Sequence, residues 1–274
     1  MAGPRLASGR PFGSVPGVSG EGRTTTIEAV IDEMRARWLD LHRAGDWRAV
    51  FAKTYLATTE HILAATREPG LFTNPGWIVE IDCDFAHRYF DAFDSYERTG
   101  RCALPWQVPF EAAGRKQTFI MQDALLGMNA HINFDLPHSL DATIPRGLSA
   151  EELEPYRLDN AALNTVLAQS VKLVQAAVAD HYDAVLHVLN AVLGQRDEAF
   201  ASRLIEAWRA RAWGTFLVMR TTDATAEVDG LIEQSAVDNA MLLLEVQRHF
   251  PGLYWPNRLF RQVVTGLARR RTRL

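Results

Sequence analysis

The chain has 274 residues, 47% of them apolar and 23% charged, with 29 Lys and Arg against 33 Asp and Glu. This is ordinary globular composition with enough apolar mass for one large core, and the net charge of −4 gives no electrostatic reason to expect a nucleic-acid partner. No apolar run approaches a membrane span, and two cysteines, Cys83 and Cys102, make neither a disulfide framework nor a zinc knuckle, so the expected setting is the cytoplasm.

Residues 1–24 are rich in Gly, Pro, Ser and Arg and lack an apolar h-region, which reads as a disordered leader rather than a secretory signal. One domain is expected over 25–274. Thr25-Thr26-Ile27-Glu28 is a capping box, and Ile27, Ile31, Met34, Trp38 and Leu41 follow it at helical spacing until Gly45. Asp46 is the expected cap of a second helix, which runs to Glu68-Pro69-Gly70. A third starts at the Asn74-Pro75-Gly76 turn, carries Trp77, Ile81, Phe85, Tyr89 and Phe93, and stops at Gly100. A short helix after Pro105 and a strongly apolar one over 117–136 follow, the latter broken by Pro137. The stretch 138–158, with Pro145, Gly147 and Pro155, reads as a long connection that either crosses between layers or acts as a lid. Helical patterns resume at about 159–193, 198–220, 228–249 and from Asn257 to the end, with the Tyr254-Trp255-Pro256 turn packing the last one down. Nowhere do apolar and polar residues alternate as in a strand, so the fold class is an all-α, single-domain bundle of about eight or nine helices.

The apolar helix over 117–136 carries Asn129, His131, Asn133 and Asp135, and buried polar groups of this kind need partners. His131 and Asp135 share one face, with Asp123 and Gly127 on the same stripe, while Asn129 and Asn133 form a neighbouring one. Gly127 removes a side chain in mid-helix and allows another backbone or a ligand to come close. Two chemistries fit His131 and Asp135: a divalent-metal site on a helix face, or a hydrogen-bonded network tying helices together. Other helices offer similar pairs: Asp84, His87 and Asp91, with Asp82 and Asp94 nearby; Asp180, Asp183 and His187, with His181 alongside; and Glu60-His61. Each of these is equally a solvated stripe of i,i+4 partners. Arg209 and Arg211, set between Trp208 and Trp213, suit a carboxylate or phosphate clamp or a pairing with a buried Asp such as Asp82 or Asp135. No nucleophile elbow, P-loop or dinucleotide fingerprint is present.

Asn129-Ala130-His131-Ile132-Asn133, followed by Asp135-Leu136-Pro137, resembles the Asn-Ala-His-Ile-Asn-x-Asp-Leu signature of an uncharacterised bacterial all-helical family. Ile81-Asp82 with Phe85-Ala86 and Tyr89-Phe90, His181-Tyr182-Asp183 with Val185, and Ala212-Trp213 extend the resemblance over roughly 49–219. It implies a helical fold and places Asp82, His131, Asn133, Asp135 and Asp183 in one constellation, without supplying a chemistry. His87 stands where that pattern has Asn. The arrangement is also loosely similar to helical zinc phospholipases and nucleases.

The leading expectation is a metal-assisted hydrolase acting on a small, partly apolar molecule in a bundle-core pocket. In it Asp82, His131 and Asp135, with His87 or Asp183, hold a divalent ion (Zn, Mn or Fe). His131, Asp135 and Asn133 carry the catalysis, and Asn129 and Arg209 contact the substrate. Two alternatives stand beside it. One is a metal-free cyclase or dehydratase of a specialised biosynthetic pathway using His and Asp as acid and base. The other is a non-catalytic binding protein whose polar core only fixes helix register. The sequence leaves the oligomeric state open.

Overall fold

A computed structural model describes residues 26–249 except 117, 119, 183, 223 and 224, and for 171–201, 225 and 246–249 it describes the backbone alone. The expected leader at 1–24, Asp183, the Tyr254 turn and the last helix from Asn257 lie outside the described residues. Among those described, the chain forms nine α-helices, one π-helical segment and no strand.

Helix α1 spans Ile27–Ala44; its cap is Thr26, whose hydroxyl accepts from the Ala29 N–H at 3.3 Å, one residue later than the expected box. It ends on Gly45, whose φ of 65° is the left-handed conformation that glycine adopts without strain. Helix α2 (Ala49–Ala65) starts without a side-chain cap. Asp46 instead accepts from the Arg48 N–H at 2.9 Å and pairs with the Arg48 guanidinium, holding the turn before the helix. Helix α3 (Pro75–Thr99) begins as expected: Asn74 accepts from the Trp77 N–H at 3.0 Å and Pro75 occupies the first turn. A second anchor comes from far along the chain. The buried Asp159 carboxylate accepts from the Thr73 and Asn74 N–H groups, each at 2.7 Å.

Helices α4 (Leu104–Arg115) and α5 (Ile120–Ala130) lead into the π-helical segment His131–Asp135, and α6 (Leu136–Thr143) continues directly from it. Pro137 is therefore no breaker. It sits in the first turn of α6, where it has no N–H to offer, and the ladder is kept by Leu136 N–H bonding back five residues to the His131 carbonyl. The expected long connection over 138–158 is a correction too: α6 fills its first third and α7 (Ala150–Tyr182) its last, with Pro155 inside α7. Only 144–149 connect them, so there is no lid of that length. Helices α8 (Ala184–Thr221) and α9 (Thr225–His249) complete the described chain.

The core has two large parts. One joins α1, α2, α3, α4 and α5 around Trp38, Phe51, Tyr89, Trp106 and Phe110. The other joins the start of α3 with α6, α7 and α8 around Trp77, Ile81, Phe85, Trp208 and Phe216. The π-helical segment lies at their seam: Ala130 belongs to the first part and Ile132 to the second. Helix α9 is tied to α5 by two side-chain amides seven residues apart. Gln122 donates to the Leu243 carbonyl at 2.6 Å and Asn129 to the Ala236 carbonyl at 2.8 Å.

Candidate functional site

Six residues singled out in the sequence as polar groups on apolar faces are all at most 6% exposed: Asp82, Asn129, His131, Asn133, Asp135 and Arg209. Burial at this depth carries a cost of about 1–3 kcal/mol for every polar group left unpaired, so the partners decide what each one is for.

His131 opens the π-helical segment and stands in a box of rings. Phe85 of α3 lies flat on its imidazole, centroids 3.2 Å apart and planes at 7°. Tyr55 meets it edge-on at 4.2 Å, and Phe51 and Trp106 close the other sides at 5.9 and 6.0 Å. Gly127, one turn earlier, makes room for Phe51: a Cβ built there falls 2.9 Å from Phe51 Cβ and closer still to its ring. The space left by Gly127 is thus taken by a phenyl ring rather than a ligand.

His131 Nδ1 faces Asp135 Oδ2 at 3.3 Å, and Trp106 Nε1 donates to that same oxygen at 2.9 Å. His131 Nε2 has no partner among the described residues. Burial pushes the imidazole well below its ordinary range, so the ring is neutral. Burial also raises the Asp135 carboxyl to about 8, against the opposing pull of the Arg88 charge and the Trp106 hydrogen bond.

Asn129 and Asn133 differ in role. Asn129 is engaged at both ends, donating to α9 and accepting from Asn133 Nδ2 at 3.1 Å, which makes it a tether. Asn133 keeps a buried Oδ1 without a partner among the described residues.

Asp82 makes no hydrogen bond among the described residues, and its Oδ2 is fully enclosed. Burial raises it to about 7, with the Arg209 charge pulling the other way. Two hydroxyls on α2, one turn apart, are likewise enclosed and unpartnered: Tyr55 and Thr59. Thr59 contrasts with Thr54 and Thr58, whose hydroxyls donate to backbone carbonyls four residues back. Burial, then the Asp82 and Asp135 charges, hold the Tyr55 phenol well above its ordinary range, so it is a hydroxyl donor.

Other expected site residues lie elsewhere. His87 is half-buried on the outer stripe of α3, in edge contact with Phe90, away from the face that carries Asp82 and Phe85. Asp84 pairs with Arg88 at 2.7 Å, Asp94 with Arg37, and Glu60 with Arg35. Asp123 accepts from the Thr118 hydroxyl at the start of α5. Asp183 lies outside the described residues, as do the side chains of Asp180, His181 and His187. Among the described residues no three His, Cys, Asp or Glu side chains gather as a group able to hold a metal ion. Arg211 is exposed, and Arg209 is buried among neutral acceptors: Asn164 Oδ1 at 2.8 Å, Asn160 Oδ1 at 2.6 Å and the Asn160 carbonyl at 3.1 Å. The sequence reading did not anticipate Tyr55, Thr59, Trp106, Asn160 or Asn164. The one signal for Trp106 and Tyr55 was that a buried indole or phenol needs a polar partner.

A family model described as "Family of unknown function (DUF5995)" matches residues 27–246. The chain belongs to the DUF5995 family. Its described residues in the matched span form helices joined by short connections, with no strand among them, in keeping with the all-helical family that the Asn129–Leu136 signature suggested. Neither a curated protein nor a solved structure matches this DUF5995 chain. No helix among its described residues is long and apolar enough to cross a membrane.

Proposed function

We propose that this DUF5995 chain is an enzyme that performs acid–base chemistry on a small, partly apolar molecule, as a cyclase or dehydratase does. The observation carrying this reading is the set of His131 contacts: Nδ1 faces Asp135 while Nε2 is enclosed by rings and unpartnered. With Asp135 ionised, its carboxylate accepts from Nδ1–H, the lone pair is fixed on Nε2, and the imidazolium formed on proton uptake is stabilised. In a dehydration, Nε2 takes the proton from carbon and the C–H pair becomes the double bond. The C–O bond breaks, and the leaving hydroxide takes the proton back from the imidazolium as water. The surrounding rings exclude bulk water and match an apolar substrate body.

A metal-assisted hydrolase is the second reading, favoured by one feature. An imidazole whose Nδ1 is held by a carboxylate while Nε2 is free is how metal-binding histidines are commonly oriented. Under it His131 Nε2 is a ligand, Asp82 is a second one, and Asp135 orients the ring.

The test is to incubate exhaustively chelated protein with a panel of small hydroxy-carbonyl compounds in deuterated water, following water loss and deuterium uptake by NMR. Turnover that survives chelation and is lost in His131→Gln supports the acid–base reading. Turnover lost on chelation and restored by Zn, Mn or Fe transfers the site to the metal reading. Elemental analysis of protein purified without a metal column, beside His131→Ala, checks that directly. If neither protein turns over any compound, and His131→Ala and Asp135→Ala only lower the melting temperature, the polar core serves helix register.

A further inference from the structure

Among the described residues seven large hydrophobic side chains are exposed, and five of them lie on one helical hairpin. They are Leu217 and Val218 on the last turns of α8, and Leu231, Met241 and Leu242 on α9, with Leu231 70% and Leu242 63% exposed. Arg211 of α8 donates to the Ser235 hydroxyl of α9 at 3.4 Å, and these two stand equally far from Thr221 and Thr225, the ends that the connection joins. The two helices therefore run antiparallel and side by side. On α9, Leu231, Ser235, Asp238 and Leu242 recur three or four residues apart and form one stripe along the α8 side. On α8, Gly214 lies in the exposed row that leads from Arg211 to Leu217 and Val218, and a Cβ built there meets nothing within 4 Å. A glycine in mid-helix weakens the helix; what it offers in return is room for another backbone.

The charge of this surface is one-sided. Over 225–245, α9 carries five acids, Glu227, Asp229, Glu233, Asp238 and Glu245, and no Lys or Arg. Asp229 faces His138 at 3.9 Å. No ion pair reaches Glu227, Glu233 or Asp238 among the described residues; Asp238 accepts from the Gln234 amide and Glu233 from the Leu104 N–H. An open apolar stripe edged with acids calls for a partner that is apolar and basic. The chain carries such a segment. Residues 257–274 hold six Arg and no acid. Within them Leu259, Phe260, Val263, Val264 and Leu267 fall on one face at helical spacing, and Arg270 and Arg271 continue that face.

We propose that residues 257–274 lie as a helix along the open side of α8 and α9, antiparallel to α9. Residues 250–256, with Pro251, Gly252 and Pro256, are a reversal of ordinary length between antiparallel helices. A helix over 257–274 is about 27 Å long and reaches back along α9 to the level of Ile232. Counted back from His249, Leu259 to Leu267 then fall beside Met241 and Leu242, and Arg269 to Arg273 beside Glu233 and Asp238. Apolar meets apolar and cation meets acid in the order that the two stretches dictate. Covered in this way, α9 is held from outside as Gln122 and Asn129 hold it from inside. The proposal does not depend on the chemistry at His131.

The test is hydrogen exchange followed by mass spectrometry on the full chain, with sedimentation to give its mass in solution. In wild type, residues 259–267 are expected to exchange at least about tenfold more slowly than a free peptide of the same sequence. Leu242→Asp and Val218→Asp alter exposed positions, so helix content by circular dichroism is expected to stay while each releases that protection. A second measurement fixes the partner. In a Cys102→Ser background, where the remaining Cys83 is buried, Asp238→Cys with Arg270→Cys is expected to be joined within one chain by a short bismaleimide. Joining between two chains, with a sedimenting dimer, assigns the face to a second copy and overturns the proposal. Residues 259–267 exchanging like the free peptide in wild type, or protection that survives both Asp variants, overturns it as well. None of these outcomes bears on the chemistry at His131.

Discussion

Trp106 donates its indole N–H to Asp135 Oδ2 at 2.9 Å, across twenty-nine residues of chain, and both side chains are at most 3% exposed. Two helices are pinned by this bond, and it also sets the acidity of the carboxyl that faces His131. It favours the ionised form of Asp135, which burial opposes. Trp106→Phe keeps most of the ring and deletes the donor. Denaturant unfolding should show a loss of about 1–3 kcal/mol, the cost of stranding a buried acceptor. Under the acid–base reading, turnover rises as Asp135 ionises near pH 8, and in Trp106→Phe that rise moves to higher pH.

Asp82 and Asp135 both take up protons on folding, because burial raises them to about 7 and about 8 from the ordinary carboxyl range. A raised acid stabilises the fold at low pH, and that contribution is lost as pH climbs through the folded value. His131 works in the opposite sense, since the folded ring stays neutral while the unfolded one charges below about pH 6.5. Above that pH its effect is finished and only the two acids act. Stability measured by urea unfolding should fall by about 2 kcal/mol between about pH 6.5 and 8.5. In the Asp82→Asn, Asp135→Asn double variant the slope should disappear, and a slope that persists refutes the assignment.

The contact between Gly127 and Phe51 allows no added atom. Gly127→Ala normally helps a helix by about 1 kcal/mol. Here it should instead destabilise by about 1–3 kcal/mol as the phenyl ring is forced off its seat. Phe51→Leu is the partner change. If the clash is the cause, the double variant is more stable than the sum of the two single effects, which a thermal-denaturation cycle reads directly.

Asp159 accepts two backbone N–H groups at the start of α3. Asp159→Ala leaves both without an acceptor and should lower stability by about 3 kcal/mol, with hydrogen exchange speeding up at Thr73 and Asn74. Asp159→Asn keeps one acceptor oxygen and should lose about half as much.

Much of the fold was legible because helix ends carry their own chemistry. Gly45 and Gly100 stop α1 and α3 with left-handed φ, and Asn74 with Pro75 starts α3, all from local signals. The errors fell where one residue type has two meanings. Pro137 read as a breaker and Pro155 as part of a connection, yet one lies in a first turn, where its missing N–H matters little, and the other within a long helix. Asp46 read as a helix cap and instead binds Arg48. At the site, the enclosed polar residues could be picked out individually, since polarity on an apolar helix face shows in sequence. Their partners could not. Trp106 meets Asp135, and Asn160 and Asn164 meet Arg209, through helix packing that no spacing encodes.

The π-helical segment has a consequence beyond His131. It adds part of a turn to an otherwise continuous rod from Ile120 to Thr143, so α5 and α6 run out of phase. A residue deleted at Ile132 removes the π-helical excess, so all side chains beyond it swing to a new azimuth and Pro137 falls inside a continuous α-helix, where it lacks an N–H. Such a change moves Asp135 off Trp106 and shortens its spacing from His131 from four residues to three. In this protein the count of residues between two neighbours is as much a part of the site as their identity.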